Sequence, residues 1–124
     1  MNLAVDIGNT RIKIGVFAND NLVFKTETDE SDFENALNAI LKEHELTTAI
    51  VAASGNSQKV VTLLQKSGLL VKILDHKTVL PFKNLYKTPQ TLGLDRVALV
   101  SAAVKSYPEK DVLVIDGTND TVQF

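Results

Sequence analysis

Cysteine is absent from this chain, which excludes disulfides and thiolate metal sites and agrees with a reducing compartment. A strong excess of either charge is missing too. The formal net charge is −2, with no basic run, so general binding to nucleic acid is not expected. No apolar stretch approaches the ~20 residues that span a bilayer. The N-terminus lacks a charged segment followed by a long apolar run, so neither a signal peptide nor a membrane partner is expected. These absences lead to the expectation of a cytoplasmic protein. What is present is ordinary for a globular chain: 124 residues, 44% apolar and 23% charged, enough to bury a core without covalent staples.

The opening residues, MNLAVDIGNTRIK, organise the rest. Leu3, Ala4 and Val5 form a short apolar run that delivers the Asp6 carboxylate into a Gly8-Asn9-Thr10 turn. A strand ending in this way presents a carboxylate able to hold a hydrated divalent cation, backbone N–H groups that can face an anion, and a hydroxyl beside them. Lys13 follows Arg11 by two residues on the same face of the outgoing strand, so two cations can lean toward one spot. This is the pattern of a phosphate-handling hairpin. An ordinary hairpin, with the turn residues chosen only for their backbone angles, fits the same residues.

Past the turn, Ile12, Ile14 and Val16 alternate with Arg11, Lys13 and Gly15, the period of a half-buried strand. Turn formers at 18–21 and a run from Leu22 to Thr28 complete an antiparallel meander of three strands. Ser31-Asp32-Phe33-Glu34 fits a capping box, with Ser31 as N-cap, for an amphipathic helix reaching about Glu45. Thr48–Ala53 reads as a strand covered on both faces. Ser54-Gly55-Asn56-Ser57 can cap a second helix, carrying Val60, Val61, Leu63 and Leu64 and ending at Gly68. Leu69–Leu74 reads as another buried strand. The stretch 75–90 has no period and holds Pro81 and Pro89, a loop long enough to cover a binding site. Helical spacing resumes over Gly93–Lys105. Val112–Ile115 is a last apolar strand, and it delivers Asp116-Gly117-Thr118 much as the first delivers Asp6. Antiparallel strands followed by parallel β-α units predict an α/β mixed sheet with helices on its faces.

Three segments, in order, carry a resemblance: Asp6-Ile7-Gly8-Asn9-Thr10 with Lys13, then Tyr86 followed by Gly93-Leu94-Asp95-Arg96, then Val114-Ile115-Asp116-Gly117-Thr118. The chain resembles the N-terminal half of type III pantothenate kinases, of the actin/hexokinase/Hsp70-like superfamily. The first segment matches that family's D-x-G-N-T phosphate motif and the second its pantothenate-site Tyr and G-x-D-R. The third approximates its second phosphate motif, departing from it where Asp116 runs directly into Gly117. The resemblance implies a ribonuclease H-like, actin-like ATPase lobe over residues 1–111, with 112–124 starting a second lobe. It implies ATP-dependent phosphorylation of pantothenate to 4′-phosphopantothenate, opening coenzyme A biosynthesis. It also implies Mg²⁺ or another divalent cation, K⁺ or NH₄⁺ as a monovalent cation, and a homodimer for the full-length protein.

Carried over residue by residue, Asp95 is the general base toward the pantothenate hydroxyl, Arg96 pairs with the pantothenate carboxylate, and Gly93 and Tyr86 line that site. Asp6, Gly8, Asn9, Thr10, Lys13 and Thr118 face the nucleotide, and Asp6 and Asp116 hold metal. From the residues alone, Asp95 better suits a helix start, where an acidic side chain favours the dipole. Arg96 suits a helix surface, Gly93 a helix-entry turn and Tyr86 a loop packed on a core. Lys13 suits an exposed strand position. His44 and His76 lack metal-ligand spacing and read as a surface helix residue and a loop residue. Family members are about twice as long, so this chain alone is expected to be catalytically silent. A non-catalytic ligand-sensing relative of the same fold is the alternative, and a sugar or acetate kinase of the same superfamily is a third reading.

Overall fold

The computed structural model describes residues 1–54 and 56–115. Its contacts divide the chain into two compact units, Met1–Asp75 and His76–Phe124.

The first unit is built on a five-stranded mixed sheet in the order β3-β2-β1-β4-β5. Strand β1 (Asn2–Ile7) pairs antiparallel with β2 (Ile12–Ala18), and β2 antiparallel with β3 (Asn21–Thr28). Strand β4 (Thr48–Ala53) lies parallel to β1, and β5 (Leu70–Ile73) parallel to β4. The alternation read along Ile12, Ile14 and Val16 is what puts them, with Leu3, Val5, Ile7, Ala49 and Val51, on one buried face. Helices α1 (Phe33–Glu43) and α2 (Gln58–Lys66) close that face with Phe33, Leu37, Ile40, Val60, Val61 and Leu64 in a single apolar cluster. The result is the mixed α/β sheet with flanking helices of an actin-like ATPase lobe.

Three local expectations are corrected here. The capping box does not form: α1 starts after Asp32, which makes no side-chain cap. The Asp29 carboxylate does that work instead, with Oδ1 accepting the Ser31 hydroxyl at 2.7 Å and the Asp32 N–H at 2.9 Å, so an Asx turn wins over the reciprocal box. Neither β4 nor β5 is covered on both faces. Ile50 is 44% exposed and Leu70 64% exposed, because both helices lie on one side of the sheet and β5 is its edge. Val112–Ile115 forms no strand, and Leu113 and Ile115 are exposed. An apolar run becomes a strand only where a neighbour takes its N–H and C=O groups, and no strand among the described residues pairs with it.

The second unit contains a short 3₁₀ turn, Pro89–Thr91, and helix α3 (Leu94–Ser106) with Gly93 as its N-cap residue. Val97 is its one buried hydrophobic residue among those described. No helix among the described residues is long and apolar enough to cross a membrane.

Candidate functional site

Strands β1, β4 and β5 run the same way, so their C-terminal ends make one edge of the sheet, the edge at which open α/β sheets bind ligands. The β1–β2 turn lies on it. The Gly8 N–H donates to the Arg11 carbonyl at 2.9 Å and closes the turn. A Cβ on Gly8 would stand 3.1 Å from that same carbonyl oxygen, so glycine is what permits so close a return. With the Gly8 N–H engaged, Asn9 and Thr10 are the exposed residues left at the apex to meet an anion, with the Thr10 hydroxyl beside them.

The floor of the turn is held from a distant part of the chain. Both the N–H and the hydroxyl of Ser54 donate to the Ile7 carbonyl, at 3.1 and 3.2 Å. Ser54 follows β4 directly and reaches Ile7 only because β4 lies parallel beside β1. The sequence signals a turn at 54–57 but not that tie. Gly55 lies outside the described residues.

On the face of the sheet away from α1 and α2, the pairing register sets Asp6 opposite Lys13 and Lys13 opposite Glu27. The three side chains form a carboxylate–ammonium–carboxylate row across three strands. Residues spaced two apart on these strands, Ala4, Gly15 and Lys25, share the face. They line with the row a shallow depression of about 520 Å³. Beside the row, the Arg11 Nε–H donates to Glu27 Oε1 at 3.1 Å. Arg11 also adds to the forces that hold the Asp29 carboxyl below the usual carboxylate range, behind the larger effects of the Ser31 hydroxyl and the Asp32 N–H. Sequence reading singled out Asp6, Arg11 and Lys13 here and missed Glu27, whose place depends on the β2–β3 register.

The residues expected on the acceptor side belong to the second unit. Asp95 and Arg96 sit exposed in the first turn of α3. The Gly93 carbonyl accepts the Arg96 and Val97 N–H groups at 3.1 and 3.2 Å, so the helix entry is closed by backbone. A Cβ on Gly93 would lie 2.5 Å from Asp95 Oδ1. Asp95 Oδ1 is the end of an exposed, flexible side chain that can turn aside, so this closeness marks only that the carboxylate lies over the helix entry. One residue earlier, His76 Nε2 lies 3.0 Å from the Leu92 carbonyl; a carbonyl only accepts, so the ring nitrogen carries the hydrogen. Tyr86 is about half exposed, and its N–H donates to Asn84 Oδ1 at 3.0 Å.

The site residues thus fall into two sets, Asp6 to Lys13 in one unit and Tyr86 with Gly93 to Arg96 in the other. Asp116 and Thr118 lie outside the described residues. No group of three or more His, Cys, Asp or Glu side chains that could cage a metal occurs among the described residues. A lone carboxylate is nevertheless what a hydrated Mg²⁺ asks of a protein when phosphate oxygens complete its shell, so Asp6 fits that ion.

The family model of type III pantothenate kinases matches residues 2–124. A type III pantothenate kinase of Christiangramia forsetii is 45% identical over 118 residues, covering 94% of this chain and 48% of that protein. That of Bacteroides fragilis is 41% identical and covers all of this chain and 51% of its own length, and that of Flavobacterium johnsoniae is 36% identical with 52% of its length covered. The chain therefore spans about half the length of the curated relatives it matches.

Proposed function

Because the chain belongs to the type III pantothenate kinase family, we propose that it supplies the N-terminal lobe of an enzyme that transfers the γ-phosphoryl group of ATP to the primary hydroxyl of pantothenate. The observation that carries this reading is the exposed Asp6–Lys13 pair beside the Gly8–Arg11 turn, at the C-terminal edge of the parallel strands. Phosphoryl transfer asks a protein mainly for positioning and charge compensation, and this hairpin offers both.

In this reading the Asn9 and Thr10 apex lies against the nucleotide phosphates and the Lys13 ammonium offsets their charge. Asp6, with Asp116, orients a hydrated divalent cation, whose chemistry is to neutralise charge building on the β- and γ-oxygens. Thr118 touches phosphate. Asp95 accepts the hydroxyl proton of pantothenate from its exposed place in the first turn of α3. The Arg96 guanidinium pairs with the substrate carboxylate through its fork of donors, and Tyr86 lines that pocket. The whole enzyme works in the cytoplasm as a homodimer, uses K⁺ or NH₄⁺ as well, and continues from residues 112–124 into a second lobe that completes the nucleotide cleft begun by residues 1–111.

The test is an assay of the whole protein with ATP, Mg²⁺, K⁺ and pantothenate, reading 4′-phosphopantothenate by mass spectrometry. Product formation is expected. Binding of both ligands without turnover would replace this reading with that of a ligand sensor, and turnover of a sugar or acetate in place of pantothenate would reassign the substrate.

A further inference from the structure

Beside the hairpin, β3 carries an acidic side chain that the proposed reaction does not use. Glu27 lies across from Lys13 in the β2–β3 ladder, and its Oε1 accepts the Arg11 Nε–H at 3.1 Å. Around the depression beside the turn, Asp6 and Glu27 stand against Lys13 and Lys25, so the formal charge there is balanced. Arg11, next to Thr10 at the foot of the turn, is drawn toward β3 by Glu27 and feels Asp29 from the same side. As a stabilising contact the pair is weak. Its side chains are 54% and 46% exposed, and an exposed ion pair contributes at most about 1 kcal/mol. The same carboxylate nevertheless adds its negative charge to the field that a phosphate at the turn meets.

We propose that Glu27 is a positioning residue of the phosphate hairpin: by pairing with Arg11 and facing Lys13, it limits how tightly the hairpin holds nucleotide. This rests on the reading above that ATP binds at this turn. The benefit is kinetic. Cation–phosphate attraction that is equal in the bound substrate, the transition state and the product lowers KM without raising kcat, and it retains the spent nucleotide. Glu27 removes part of that uniform attraction while leaving Lys13 in place.

The experiment measures the Kd of ATP, with Mg²⁺ present, by titration calorimetry on the whole protein, without pantothenate. Glu27→Gln adds one net positive charge beside the turn, and an exposed charge within a few ångströms changes the Kd about fivefold, here toward tighter binding. The salt dependence of Kd becomes steeper as well. Glu27→Asp keeps the charge and stays within about twofold of the native value, and Arg11→Gln with Glu27→Gln, which restores the native net charge, returns to the same range. A merely structural role would weaken binding or lower the unfolding midpoint, and neither gives tightening. An unchanged or weaker Kd in Glu27→Gln overturns the proposal, and so does tightening that persists in the double variant. Native protein that phosphorylates pantothenate but shows no Glu27 effect refutes this inference alone. Tightening in a protein that fails to phosphorylate pantothenate refutes the kinase reading alone, and a native protein that binds no ATP refutes both.

Discussion

The two compact units treat their apolar residues differently. In Met1–Asp75 the alternation along β1, β2 and β4 and the apolar stripes of α1 and α2 meet in one cluster, where Leu3, Val16, Phe33, Val51 and Leu64 are fully buried. In the unit from His76 onward, α3 is apolar on every side, with Leu94, Val97, Ala98, Leu99, Val100, Ala102, Ala103 and Val104 around its circumference. Yet Val97 alone is buried and Leu99 is 38% exposed. A helix with such a surface belongs in an interior. The first unit carries a complete core under the Gly8–Arg11 turn, whereas the second presents Asp95 and Arg96 on a helix with little cover among the described residues.

The sharpest way to break this comparison is catalytic. With Asp95 as the general base proposed above, Asp95→Asn in the whole protein lowers kcat by about 10²–10⁴-fold, with the Kd of ATP little changed. Asp6→Asn lowers turnover too, but shows itself first as weaker ATP binding in the presence of Mg²⁺. Steady-state kinetics beside calorimetry separates the two. If Asp95→Asn weakens ATP binding while kcat holds, the assignment of nucleotide to one unit and acceptor to the other is wrong.

The second test compares packing. Phe33→Ala empties a fully buried site in the first unit and costs about 3–5 kcal/mol in denaturant unfolding of the chain. Leu99→Ala in the same chain removes a side chain already 38% exposed and costs about 1–2 kcal/mol. In the whole protein Leu99→Ala rises to about 2 kcal/mol or more if additional chain covers α3. Equal costs in the two lengths of protein would show that α3 stays as open as it is here.

What could be read before the structure follows the range of the interactions. The β2 strand, the amphipathic α1 and the turn after Asp6 are fixed by residues within a few positions of one another, so period and turn chemistry reveal them. The Asp6–Lys13 and Gly93–Asp95 neighbours are legible for the same reason. Ser54 on the Ile7 carbonyl and Glu27 beside Arg11 are not, because each depends on which strands pair and in what register. The one-sided cover of β4 and β5 depends on which face both helices choose, and no strand's own composition states that. The capping box failed for a local reason instead. Ser31 and Glu34 could close the start of α1, but Asp29 draws the Ser31 hydroxyl and the Asp32 N–H to itself, and the pattern of residues does not rank the two arrangements.

The smallest expected effect sharpens the contrast between the two helix entries. Both are closed by a backbone carbonyl without a side-chain cap, Gly93 in α3 and Asp32 in α1, and only the α1 entry has a carboxylate, that of Asp29, bonded to the residues leading into it. The Ser31 hydroxyl first, then the Asp32 N–H and the Arg11 charge hold the Asp29 carboxyl below its ordinary value of 3.8. A carboxyl depressed in the folded state contributes stability that is present above the unfolded pKa and is lost as pH falls through the folded one. The α1 entry should therefore keep its geometry through mildly acidic pH and loosen only below 3.8. In an NMR titration the Asp32 amide resonance should move with a midpoint below that value, and Asp29→Asn, which keeps an acceptor oxygen but has no proton to gain, should abolish the movement. A midpoint at or above 3.8 would mean that the hydroxyl and amide do not favour the charged carboxylate. The Asx turn would then be a contact of shape and not of charge.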